Sequence, residues 1–446
     1  MTKAKYLATA ALLATACPAS DDSSNGGDGG ETTAPADGGD SNSNGEAGDS
    51  NVTAASNSGG DGTTSAGDDA GDDGPPPPGP VNFDLGGIPD MGEPICGAKG
   101  GRPEASYIWI ANSSQDTVSK INTQTLVEEG RFMTRDVAGG SPSRTSVNLV
   151  GDVAVANRSG GLTKFYANHD NCDDKNGNGV IETSTDATWL PWADEECRAW
   201  YTPFTYTSQR PVAWTQGVWS AVDCAQIDQK VWTAGVIANT TIEVNLVDGD
   251  TGIVEDSVQI PTITPNFYGM YGGAVDTDGN FWASQLSGGQ LLRVNINDLS
   301  DYEHWTAPYG GYGMTVGGSG YVFTCSSQVG RFDPVTETWD GATVGGGGGC
   351  MEDSNGILWM ANSPLVGVDV ETLSVVYSYP LPNYVHGVSI DFEGYVWGVS
   401  MNTQAYRVDP SDGTFDTVNG LVGPYTYSDM TGFALTAVGG GGVPSG

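Results

Sequence analysis

The sequence predicts an all-β fold, a seven-bladed β-propeller whose C-terminal strand closes the first blade, preceded by a disordered N-terminal linker. Three observations carry this reading. Downstream of Cys96, short β-rich runs end in Trp or another large apolar residue and are separated by Gly, Asp and Asn turns, and none sustains a helical apolar period over about ten residues. Second, seven such units line up on Trp109, Ala154, Trp232, Trp282, Phe323, Trp359 and Trp397, spaced by 45, 78, 50, 41, 36 and 38 residues. With about 350 residues in the repeat region, each unit takes roughly 50, a propeller-blade length. Third, the two ends are complementary. Gly92 to Glu104 is too rich in Gly and Pro to supply an inner strand, whereas Tyr425 to Val438 holds an inner strand with no Trp strand behind it, so the halves complete one blade and remove an exposed sheet edge. An eight-bladed ring with degenerate ends, or six blades if Gly151 begins an irregular unit, are the competing counts.

Taken in order, residues 1–17 carry two lysines, an apolar core from Tyr6 to Leu13 and a small-residue run into Cys17, which reads as a secretory signal. Ala14-Thr15-Ala16-Cys17 resembles a bacterial lipobox, with Leu13 one place earlier than that family prefers. A lipid on Cys17 would anchor an exported chain to the cell envelope, at the outer membrane or cell surface; an ordinary cleaved signal is the alternative. Residues 18–95 hold 16 acids and no base, with almost nothing large and apolar before Val81, so the segment cannot offset its ordering entropy and is expected to be a disordered tether or filler. The remaining residues, 96–446, form the propeller domain.

Over the whole chain, 55 acids against 17 bases give −38, which excludes nucleic acid as an electrostatic partner. Nothing in the repeat calls for an oligomer, and a monomer is expected.

The gap of 78 residues marks an insertion at about 168–200. Within it, Asp174, Asn176 and Asn178 place oxygen donors at positions 1, 3 and 5, Gly179 follows at 6, and the Val180 carbonyl stands at 7, as in an EF-hand-type calcium loop. Position 12 is Thr185, so Glu182, Asp186, or Asp194 with Glu195 and Glu196 would complete the shell around a structural Ca2+. The alternative is an Asn-Gly turn held by its disulfide. Six cysteines follow Cys17, an even number that reads as three disulfides. Cys172 with Cys197 and Cys325 with Cys350 are the favoured pairs, which leaves Cys96 with Cys224.

Alignment of the units on their Trp positions predicts the residues facing the central channel: Arg144, Gln216, Tyr271, Tyr312, Gly348, His386 and Thr431. The unit VHGVSIDFEGYVWGVS and the D-x-x-G-x-x-W rhythm resemble the seven-bladed virginiamycin B (streptogramin) lyases. That resemblance implies a Mg2+-dependent elimination across an ester C–O bond, with a His at the start of such a unit, a Glu fourteen residues later and a second His in a preceding blade. His386 matches the first. Ser400 stands where the Glu belongs and Gly348 where the second His belongs, so the scaffold is expected without its chemistry. No G-x-S-x-G elbow, HExxH or Walker loop is present.

The leading expectation is an envelope lipoprotein that binds a small molecule or protein on one propeller face. A lyase or hydrolase using His386 with Asp391, Glu393 or Glu352 is the enzymatic alternative, and a purely structural envelope protein is the third.

Overall fold

The computed structural model describes residues 106–220, 222, 225–286, 288–427 and 429–438. The signal with Cys17, the tether, and the expected Cys96–Cys224 pair lie outside these residues.

Seven antiparallel blade sheets follow one another along the chain; those of blades 2 to 7 have four strands running from the inner strand outward, and that of blade 1 has three, its second to fourth. Blade 1 holds Tyr107–Asn112, Thr117–Asn122 and Glu128–Met133. The inner strands of blades 2 to 7 are Pro142–Val147, Ser208–Trp214, Met270–Val275, Gly313–Val316, Cys350–Glu352 and Val385–Ile390. Each of these packs against the next around the ring. Backbones converge at the axis, so small residues are required there: a Cβ on Gly272 would lie 2.5 Å from Cγ of Met314 in the neighbouring blade. Burial falls off outward, from fully buried Val385–Ile390 to the mostly exposed outermost strand Val375–Tyr379.

All seven anchor residues sit buried on second strands, between blades. The D-x-x-G-x-x-W rhythm acquires a physical cause here. In blades 4, 6 and 7 the Asp turns its carboxylate back to accept the indole N–H six residues on: Trp282 to Asp276 (2.9 Å), Trp359 to Asp353 (3.0 Å) and Trp397 to Asp391 (2.8 Å). The other oxygen of Asp391 accepts the amides of Glu393 and Tyr395, and those of Asp276 and Asp353 close the same turn. Each latch satisfies a buried donor and fixes the turn in one stroke.

Closure of blade 1 comes from the C-terminal segment. The Trp109 amide donates to the Met430 carbonyl (2.8 Å) and the Tyr425 amide to that of Ala111 (3.0 Å), with a bridge between Asn112 and Pro424. On its other side, Thr431 Oγ1 donates to the Ile390 carbonyl, and the Met430 amide donates to Ser389 Oγ, which joins the segment to blade 7. The expected strand does not continue to Val438: Phe433–Val438 is a helix. It turns across the axis, packs on the inner strands of blades 5, 6 and 7, and buries Leu435 and Val438. Beneath it, Met314, Met351 and Trp214 line a cavity of only about 20 Å³. One face of the channel is thereby plugged.

The 78-residue gap has two sources. Between the third and fourth strands of blade 2 (Leu162–Phe165 and Arg198–Thr202) lies the predicted insertion, and blade 3 carries an extra hairpin, Val218–Ser220 with Ala225–Ile227, between its inner and second strands. Disulfides join Cys172 to Cys197 and Cys325 to Cys350.

Candidate binding site at the channel mouth

Every inner strand starts at the face opposite the plug, so its first residues surround the mouth. Arg144 and Arg210 are the third residues of the inner strands of blades 2 and 3. Arg158 stands in the turn after the second strand of blade 2, where its carbonyl accepts the amide of Gln209. The three guanidinium groups converge on tyrosines. Arg144 stacks on Tyr427 and Tyr271, Arg158 on Tyr425 at 4.1 Å, and Arg210 on Tyr268 and Tyr271, both at 4.7 Å. Tyr271 hydrogen-bonds Tyr425 (2.9 Å) and Tyr312 (3.1 Å) through their hydroxyls and accepts from Arg210.

His386 completes the wall. Its ring lies edge-on to Tyr312 (4.6 Å) and against Tyr425 (4.9 Å), and its Nδ1 shares a hydrogen bond with the Tyr384 hydroxyl at 2.9 Å. Burial, followed by the positive charges of Arg144 and Arg158, pushes the imidazole down to about 3, so it is neutral at physiological pH. Burial likewise lowers Arg144 and Arg158, aided in both by the neighbouring guanidinium groups. At the rim, Tyr384 is exposed, and Phe267 stands 65% exposed with φ at 67°, edge-on to Tyr268.

Of the channel set expected from sequence, Arg144, Tyr271, Tyr312 and His386 meet here. Gln216 does not. It lies beyond the far end of the blade 3 inner strand, where its Nε2 donates to the Asp276 carbonyl. The extra hairpin shifted the alignment, and Arg210 occupies the true equivalent place. Thr431 is also at the plugged end, bonded to Ile390 and Ser389; Tyr425 and Tyr427 take its place at the mouth. Sequence reasoning missed Arg158, Arg210, Tyr425, Tyr427, Tyr268 and Tyr384. A signal was available in the parallel starts P-S-R (Pro142) and S-Q-R (Ser208).

The residues do not fit the magnesium site implied by the lyase resemblance. Ser400 is buried and donates to the Gln404 carbonyl. At Gly348 a Cβ would fall 2.2 Å from the His386 carbonyl oxygen, so no side chain of any kind fits this backbone. The substitute ligands expected beside His386 are elsewhere too. Asp391 is five residues along the strand, about 16 Å away at strand rise, and is consumed by the Trp397 latch. Glu393 accepts from Thr123 and Gln124, and Glu352 from Ser319. A cation at His386 would face Arg144 and Arg158 with no carboxylate among the described residues.

In the insertion, Asp174 accepts the amides of Gly177, Asn178 and Gly179, while Asn176 and Asn178 each accept the amide two residues on. Glu182 receives the side-chain amides of Asn176 and Asn178. Asp186 accepts the Thr188 amide, and the Val180 side chain points to solvent. Among the described residues no three His, Cys, Asp or Glu side chains gather to hold a metal ion.

Fold and site together define a closed seven-bladed propeller, plugged on one face and lined by arginine and tyrosine at the other. No protein-family profile and no curated protein matches the chain. Among solved structures it is similar to a catalytically inactive virginiamycin B lyase from Staphylococcus aureus solved with quinupristin, at 13% identity and a TM-score of 0.45, over 64% of this chain and 86% of that one. It is also similar to a selenomethionine-substituted virginiamycin B lyase from the same organism (14%, TM-score 0.44, 66% and 90%) and to a protein of unknown function from Bacteroides caccae (10%, TM-score 0.40, 62% and 94%).

Proposed function

We propose that the propeller is a binding module that takes its ligand at the channel mouth and carries out no lyase chemistry. The observation that carries this reading is the convergence of Arg144, Arg158, Arg210 and six tyrosines at one end of a channel whose other end is closed by Phe433–Val438. Concave sites that combine apolar ring faces with a few fixed polar groups are where small ligands bind. Catalysis by the lyase route needs a metal-binding set, and at this mouth the positions for it hold Ser400 and Gly348. A neutral, enclosed His386 serves as a wall and hydrogen-bond partner.

The deciding assay is streptogramin B ring opening with and without magnesium, in the native protein and in His386→Ala. No turnover is expected in any arm, whereas turnover that needs both His386 and magnesium would contradict the reading.

The address belongs to the same proposal. A lipid on Cys17 would fix the chain to the envelope, and the −16 segment after it would extend by self-repulsion and hold the ring off the membrane. Palmitate incorporation that is lost in Cys17→Ser is the expected result; equal labelling of both chains would remove the anchor. A structural Ca2+ in the insertion, at Asp174, Asn176, Asn178 and the Val180 carbonyl, completes the proposal. The successive side-chain-to-amide turns at positions 1, 3 and 5 favour it, because they already aim oxygens into one loop.

A further inference from the structure

The described arginines differ in their counter-charges. Arg293, Arg331 and Arg407 follow the repeat on third strands and each has a carboxylate, Glu303, Asp340 and Asp416, while Arg131 on the outermost strand of blade 1 has Glu128; away from the mouth, Arg135 and Arg198 donate to the carbonyls of Ser159 and Trp192. Arg144, Arg158 and Arg210 have no carboxylate among the described residues, although the chain carries 55 acids. Arg144 is 1% and Arg210 8% exposed. Gathering two buried cations and a half-buried third without a counter-charge is costly, and stacking on tyrosine offsets only part of it.

Their hydrogen-bonding capacity is only partly spent. Arg144 uses Nη1 and Nη2 on the carbonyls of Ser143 and Tyr271, Arg158 uses Nη1 on Ser141 Oγ, and Arg210 uses Nη1 on Tyr271. Nε of all three, Nη2 of Arg158 and Nε2 of the 5%-exposed His386 are buried and find no protein partner. A guanidinium offers paired N–H groups in a planar fork that matches carboxylate and phosphoryl oxygens.

We infer that the mouth binds an anionic small molecule, its carboxylate or phosphoryl group held by Arg144, Arg158 and Arg210 and its body lying against the tyrosine rings. This rests on the binding reading and names its ligand class. The same charges exclude a divalent metal, so the electrostatic sense of the mouth is opposite to that of the lyases' magnesium site. Among the described residues, the helix Phe433–Val438 covers the opposite end, and half-buried Arg158 with the exposed rim aromatics Tyr384 and Phe267 forms the accessible edge of the cluster.

The test is calorimetric and thermal-shift titration of the full chain with inorganic phosphate and with citrate, at constant ionic strength set by sodium chloride. Native protein, Arg158→Gln and Arg331→Gln are compared. At least one anion should bind the native chain and raise its Tm, weaken at least tenfold in Arg158→Gln, and stay within twofold in Arg331→Gln. Preference between the two anions separates a carboxylate ligand from a phosphoryl one. Without any anion, Arg158→Gln should melt higher than the native chain, since it relieves repulsion inside the cluster. Equal affinity in native and Arg158→Gln proteins, or no binding of either anion, overturns the inference. If neither anion binds while an uncharged oligosaccharide does so and is lost in Tyr384→Ala, the anion falls and the binding reading survives.

Discussion

Replacing Trp397 by Phe tests how the repeat holds itself together. Trp397 and Asp391 are both 0% exposed, and the indole N–H donates to Asp391 Oδ2 at 2.8 Å. Burial pushes the Asp391 carboxyl up from 3.8 to about 6, and the Trp397 hydrogen bond works against that rise. An acid whose folded pKa is raised is most favourable to folding while protonated. Its contribution is therefore complete below about pH 4 and is lost as pH rises to about 6, a swing of about 3 kcal/mol.

Phe removes the bond that tempers this penalty. At pH 7.5 the loss is about 1.5–3 kcal/mol for a hydrogen bond to a charged group. The missing ring volume adds about 1 kcal/mol. At pH 5 the folded acid is mostly protonated, the bond is between neutral groups, and the total falls to about 2 kcal/mol. Urea unfolding of native and Trp397→Phe proteins at the two pH values isolates Asp391, because every other titrating group cancels in the difference. In Trp282→Phe the partner Asp276 keeps 19% of its side chain exposed, so water replaces the lost donor and the loss at pH 7.5 is smaller. Equal destabilisation of Trp397→Phe at pH 5 and pH 7.5, or less in it than in Trp282→Phe, refutes the latch.

Three further outcomes follow from the geometry. Gly387→Ala puts a Cβ 2.2 Å from the Thr426 carbonyl oxygen in the closing segment, so it should cost about 1–3 kcal/mol by overpacking and speed proteolysis near the C-terminus, read by thermal melting and limited chymotrypsin digestion. Removing the Cys325–Cys350 bridge by a double Ala substitution releases a loop with a sequence separation of 25. That should cost about 3.5 kcal/mol by loop entropy, measured by urea unfolding. Calcium titrated into the native chain should release heat that disappears in a double variant, Asp174→Ala with Asn178→Ala; no heat from either protein removes the ion.

Blade architecture was legible because it is written locally. The Trp anchors, the Asp-Gly turns and the complementary ends each follow from what a packed, closed ring demands of individual positions. Cys325 and Cys350 could be paired because they fall in neighbouring blades. Less legible was anything that broke the period. The hairpin at Val218–Ile227 lengthened blade 3 between inner and second strands, and counting back from Trp232 therefore selected Gln216 in place of Arg210. Phe433–Val438 read as strand because its alternation is too short to separate the two periods, and its fate is decided by the inner strands beneath it. Arg158 sits in a polar turn, N-R-S-G-G, where a surface role is the ordinary expectation; only closure of the ring brings it to Tyr425.

The most direct measurement of the central claim is a crystal soaked in sodium selenate, with data collected at the selenium edge. An anomalous peak is expected at the channel mouth, within hydrogen-bond distance of Arg158 and of Arg144 or Arg210, and absent from Arg158→Gln crystals. Selenate only on the outer strands, or at the mouth of both proteins alike, would contradict it.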